Sequence, residues 1–256
     1  MDQTAAAPLP ALPDDPAAEI ARLALRFRRA NGPVIALMNR LGGSIEDKLE
    51  SMPAEMRVRL NAVTRSALER GYAVAAGGRH APDLGPRGPM ALVALTGAAG
   101  GAGGLATSVA ELPVTITVIL HAIRKAAAEE GFDPDDPSVR LEALRVFAAG
   151  SPVARDDGVN TAFLGARMAV SGPALQRVLS AAVPKLAAAL GQKLMAQAVP
   201  VLGAVAGAGL NAAFLGYYRE MAHVRFGLLR LSERHGIEPV LTAFGEAVGP
   251  ARIRRA

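Results

Sequence analysis
The chain contains no cysteine and no tryptophan, and aromatic residues account for only 4% of its 256 positions. Without cysteine there can be no disulfide, thiolate zinc site, iron–sulfur cluster or cysteine nucleophile, an absence that fits a reducing cytoplasm. With so few aromatics, the 51% hydrophobic content falls mainly on alanine, leucine and valine. Small side chains favour closely packed helices. Charge is mixed along the chain: 28 Lys and Arg against 23 Asp and Glu give a net charge of +5 and a pI near 10.1, with arginine spread rather than blocked into one arm. This is a bias toward anionic surfaces, and without a basic arm no nucleic-acid partner is expected.

The length allows a substantial core. The opening segment, MDQTAAAPLPALPDDP, lacks the basic and apolar regions of a signal peptide, and its proline spacing opposes a regular helix. The expected organisation is a disordered Pro-rich tail over 1–15, one helical domain over 16–250 and a basic tail, ARIRRA, over 251–256.

Helix signals follow in order. Asp15 is placed to accept from first-turn amides and Pro16 suits the first helical position, with Ile20, Leu23, Leu25 and Phe27 as the apolar set before Asn31-Gly32. Pro33 restarts a short apolar turn, and Ser44 with Asp47 has capping-box spacing. A longer helix is expected from Pro53 to about Ala76, with Met56, Leu60, Val63, Ala67 and Leu68 on one face. GGRHAPDLGPRGP then reads as a loop.

The next stretch holds the one apparent catalytic fingerprint. Thr96, Gly97, Gly101 and Gly103 satisfy T-G-x-x-x-G-x-G, the phosphate-cradling turn of nucleotide-dependent dehydrogenases, and the preceding ALVAL can be read as a strand. Its required sequel is missing. Glu111 comes too early for the acid that ends the second strand, and Tyr72, Tyr217 and Tyr218 all lack a lysine four residues on. The competing reading is a Gly/Ala-rich helix with overlapping G-x-x-x-G pairs, so no cofactor is expected.

Ser108 to Gly131 reads as a strong helix, with Ile116, Ile119 and Ile123 on its apolar stripe and Thr117, His121 and Arg124 on a polar one. Glu111 is the carboxylate of most interest for chemistry. His121 has no second histidine one turn away, so a helix-borne metal pair is absent. In FDPDDP, Asp133, Asp135 and Asp136 lack the glycine and glutamate of a calcium loop; Asp136 instead caps a helix that starts at Pro137 and turns Leu141, Leu144 and Phe147 inward. No metal is expected.

Two blocks carry a resemblance. GLATSVAELPVTITVILHAIRKAAAEEGFDPDDPSVRLEALRVFAAGS and VPVLGAVAGAGLNAAFLGYYREMAHVRFGLLRLSERHG together resemble the EcsC protein family, over most of residues 50 to 237. The family is bacterial in the main and is named for a gene beside an ABC-transporter pair. The resemblance implies no particular reaction and no catalytic residues.

Lys193 to Tyr218 holds no charge between Lys193 and Arg219, with Gly203 and Gly207 in another G-x-x-x-G. It is read either as a membrane span or as a buried helix, and the buried helix is favoured because alanine and glycine gain little in lipid. Asn211 would then need a polar partner, for which Glu111 and His121 are candidates. Beyond it, Leu210, Phe214, Tyr217, Met221, Val224, Leu228 and Leu231 form an apolar seam, while Arg219, His223, Arg230 and Arg234 line another face that is either solvated or set against anionic headgroups. A short helix from Ile237 to Val248 follows.

The expectation is an all-α multi-helix bundle with a Gly/Ala-rich central hairpin. Its expected role is that of an accessory or interaction protein at the cytoplasmic face of a membrane, with an anionic surface or a transport complex as partner. The alternatives are a hydrolase with Glu111, His121 and Asn211 in one pocket, and a nucleotide-binding oxidoreductase.

Overall fold
The computed structural model describes residues 15–30, 53–76, 104–149 and 200–249, with positions 88, 91–92, 94–96, 98, 177, 179–180, 183–184 and 187 between them. The Pro33 turn, the Ser44 capping box, the C-terminal tail and all of the N-terminal tail but Asp15 lie outside these residues, as does the expected 77–89 loop apart from Gly88, which is helical. The described helices, in chain order, are α1 (Pro16–Ala30), α2 (Ala54–Ala76), α3 (Gly104–Glu129), α4 (Pro137–Ala149), α5 (Pro200–His235) and α6 (Ile237–Val248). No strand occurs among the described residues, and the fold is all-α.

The strand that the oxidoreductase reading places ahead of Thr96 is not found. Ala91, Leu92, Ala94, Leu95 and Thr96 are helical, so no strand leads into the glycine turn that the oxidoreductase reading requires.

Local chemistry accounts for several boundaries. The Ala17 amide donates to Asp15 Oδ1 at 2.9 Å, and the Ser138 amide and hydroxyl donate to Asp136 Oδ1 at 2.7 and 2.6 Å, so both expected caps are present. Those bonds hold the Asp136 carboxyl below its ordinary value. Helix α3 stops just ahead of Gly131, whose φ of 92° is a conformation only glycine adopts cheaply. There the Phe132 amide reaches back to Ala127 O at 3.0 Å. The start of α3 lies earlier than the expected Ser108, at Gly104, and the helix continues through Pro113.

Helix α5 is the hub. It packs against α1, α3, α4 and α6, while α3 also carries α2 and α4. Its expected seam is confirmed from Phe214 onward: Phe214, Tyr217, Met221, Val224, Leu228 and Leu231 are all buried. The few aromatics are placed between helices, with Phe147 and Tyr218 centred 4.7 Å apart across α4 and α5 and Phe27 edge-on to Phe244 at 6.0 Å across α1 and α6. In α1, Leu25 departs from the expected apolar set and is 52% exposed. It sits two residues from Leu23, about 200° round the helix, on the opposite side from the buried stripe.

The G-x-x-x-G glycines lie outside the residues whose surroundings are described, but a close approach is seen at another glycine of α5. A Cβ on Gly209 or Gly216 would meet nothing within 4 Å, whereas one on Gly227 would lie 2.6 Å from Leu23 Cδ2. Gly227 is thus the point at which α5 admits a leucine of α1. Among the described residues no helix is long and apolar enough to cross a membrane.

Candidate functional site
Helix α3 ends on Glu129 and is followed directly by Glu130, two acids at the terminus where the helix dipole favours cations. A carboxylate in that position needs positive partners, and the fold supplies them. Arg22 comes from α1, and His223 and Arg230 lie seven residues apart on one side of α5. Glu130, with only 4% of its side chain exposed, is bonded to His223 Nδ1 at 2.8 Å and paired with Arg230 Nη2 at 3.0 Å and Arg22 Nη2 at 3.2 Å. Glu19, 5% exposed, accepts from Arg22 Nε at 2.8 Å, from Arg22 Nη2 at 2.6 Å and from Arg230 Nη2 at 2.8 Å. Arg230 Nη1 also donates to the Glu130 main-chain oxygen at 3.1 Å, taking up a carbonyl at the helix end. On the other side of the imidazole, Nε2 lies 3.2 Å from Glu129 Oε2, close enough for charge pairing though not aligned as a hydrogen bond.

The electrostatics follow from this geometry. The Arg22 hydrogen bond, opposed by burial and helped by the Arg22 and Arg230 charges, holds the Glu19 carboxyl below its ordinary value. For Glu130 burial is the largest influence and pushes upward, but His223, Arg22 and Arg230 together outweigh it and the carboxyl is lowered. The partnership with Glu19 raises Arg22. Both carboxylates are therefore ionised at neutral pH and hold no proton to give, and a lowered pKa makes them poor bases. The cluster is a clasp that ties α1 to the α3–α5 pair.

This clasp predicts an acid limit. A carboxyl whose folded pKa lies below its unfolded value adds stability that is complete above the unfolded value and is lost as pH falls through the folded one. Urea midpoints are expected to be insensitive to Glu19 and Glu130 well above pH 4.5, their ordinary value, and to drop below it. In a Glu19→Gln, Glu130→Gln double variant the acid drop should be visibly smaller.

A second cluster joins α4 to α5. Arg225 donates to Glu142 Oε2 through Nε at 3.0 Å and Nη2 at 2.8 Å, while Arg145 Nη1 bonds the other oxygen, Oε1. The two guanidiniums are nearly buried, at 5% for Arg145 and 6% for Arg225. Burial lowers Arg225 against the opposing pull of Glu142. All three side chains border an open cavity of about 120 Å³ whose apolar wall is Phe132, Val139, Leu141, Phe226 and Leu229, with Ser138 and Glu233 also lining it.

Family membership now follows. The family model described as "EcsC protein family" matches residues 89–231, more than half of the sequence. The chain belongs to the EcsC protein family. The match takes in Glu130, Glu142, Arg145, His223, Arg225 and Arg230, whereas Glu19 and Arg22 on α1 precede it. It is shorter than the stretch from 50 to 237 that the sequence blocks suggest. No curated protein and no solved structure matches the chain significantly.

The candidates from sequence fall elsewhere in this EcsC chain. His121 is exposed on α3 and Asn211 is buried in α5, and neither lines the described cavity. The Glu111 side chain lies outside the described residues. On the α5 stripe, Arg219 and Arg234 are exposed as expected, but His223 is 2% exposed and Arg230 is held against Glu19 and Glu130. At those two positions the stripe is neither solvated nor free to face headgroups. The signal that could have found the clasp is the acid pair at a helix C-terminus together with histidine and arginine seven apart.

Proposed function
We propose that this EcsC family protein is an accessory protein that docks on an anionic membrane surface through the outer face of α1. The observation that supports this reading is the way α1 sorts its charges. Its one acid, Glu19, is turned inward and bound, while Arg28 and Arg29 are exposed and Arg22 is 38% exposed, around the 52% exposed Leu25. Arg28 donates to the main-chain oxygen of Ala247 at 2.8 Å, a contact that orients the guanidinium and leaves its charge intact. Among the described residues, two other helices expose a different mix of charge. Helix α2 mixes Arg59 and Arg70 with Glu55 and Glu69, and α6 exposes Glu238 and Glu246.

An arginine near an anionic bilayer contributes about 1 kcal/mol, and a leucine among such arginines adds apolar burial at the interface. In this reading the chain works at the inner face of the membrane, and a transport complex in that membrane is the class of protein partner. Flotation with phosphatidylglycerol-containing vesicles and with pure phosphatidylcholine vesicles tests it. Binding is expected only to the anionic vesicles and is expected to fall in high salt. An Arg28→Glu, Arg29→Glu double variant should lose roughly tenfold or more in partitioning. Equal partitioning to neutral vesicles, or a double variant that floats like the parent, rejects the proposal.

A further inference from the structure
We propose that the cavity between α4 and α5 binds a small organic anion with an apolar body, its charged group held by Arg145 and Arg225. This site is separate from the α1 face and stands whether or not the protein docks on membranes.

Size sets the first limit. About 120 Å³ is several times the space one water needs but well under a nucleotide- or drug-sized pocket, so the occupant has the dimensions of a short-chain acid. Charge sets the second. The wall places two nearly buried guanidiniums beside the carboxylate of Glu142, whose two oxygens are both engaged by them. Glu233, the other acid of the lining, is exposed at the mouth of the site. An anion entering the cavity meets arginines already fixed in orientation by Glu142, which lowers the entropic cost of binding it. The apolar wall sets the third. Phe132 and Phe226, with ring centroids 5.3 Å apart, and Leu229 offer a surface on which a hydrocarbon body can be buried. A bare inorganic anion makes no use of that wall, and a neutral alcohol makes no use of the arginines.

The probes are hexanoate, hexanol and inorganic phosphate, titrated into the full chain and followed by NMR. Hexanoate is expected to bind with resonance shifts centred on Phe132, Phe226 and Leu229. Hexanol is expected to bind about tenfold more weakly, the loss of a charge-assisted hydrogen bond, and phosphate more weakly than hexanoate. Glu233→Gln, an exposed change that leaves the Glu142 clamp in place, should tighten hexanoate by about twofold to fivefold. Leu229→Trp, which fills the cavity from its apolar side, should abolish binding. Hexanol or phosphate binding as well as hexanoate overturns the proposal. So does unchanged binding in a Leu229→Trp variant whose thermal midpoint matches the parent, or weaker binding in Glu233→Gln.

Discussion

Replacing Glu130 with alanine is expected to cost roughly 3–5 kcal/mol, because removing one partner of a buried ion cluster leaves the others desolvated and uncompensated. Two features place the effect toward the lower figure. Arg22 is 38% exposed and recovers water when its partner goes, and Arg230 keeps its 2.8 Å contact with Glu19. The group that cannot recover is His223, 3% exposed and bonded to Glu130 through Nδ1. A Glu130→Ala, His223→Leu double variant is therefore expected to be more stable than the sum of the single changes predicts, a coupling that a double-mutant cycle in urea measures. Additive losses would mean that the two residues do not act as a unit.

Truncating Tyr218 to alanine is the second large effect, expected at about 3–5 kcal/mol for loss of a fully buried aromatic. Tyr218 is 0% exposed and touches three rings, those of Phe147, Phe214 and Tyr217. Tyr218→Phe should behave in the opposite way. The Tyr218 hydroxyl is buried with no hydrogen-bond partner, and burial, with a smaller contribution from Tyr217, raises its pKa well above 10. Deleting an unsatisfied polar atom while keeping the ring is expected to be neutral or to stabilise by up to about 1 kcal/mol. Thermal or urea midpoints of the two variants check both signs; a Tyr218→Phe loss comparable to that of alanine would mean that the hydroxyl is satisfied.

The contrast between these two positions shows where sequence reading works on this chain. Tyr218 lies on the path of an apolar seam whose three- and four-residue steps require a helix with one buried face, and the structure buries that face as expected. Glu130 lies in no such pattern. Its role depends on Arg22, 108 residues earlier, and on His223, 93 residues later, and no periodicity links positions so far apart. The same limit explains the α5 stripe. Arg219, His223, Arg230 and Arg234 share chemistry and a regular spacing, and only the neighbouring carboxylates separate the two held in the clasp from the two exposed.

What the sequence determined by itself was the helical class, the caps at Asp15 and Asp136, the end of α3 ahead of Gly131, the apolar seam of α5 and the family, because each is written in neighbouring residues or in long contiguous blocks. Tertiary structure alone decided which charges are interior, that Gly227 receives a side chain from another helix, and that Arg145, Arg225 and Glu142 meet at a cavity. Those outcomes depend on which helices come together and at what rotation. A local pattern sets one helix's buried stripe, but the partner facing that stripe is chosen by the packing of the whole bundle.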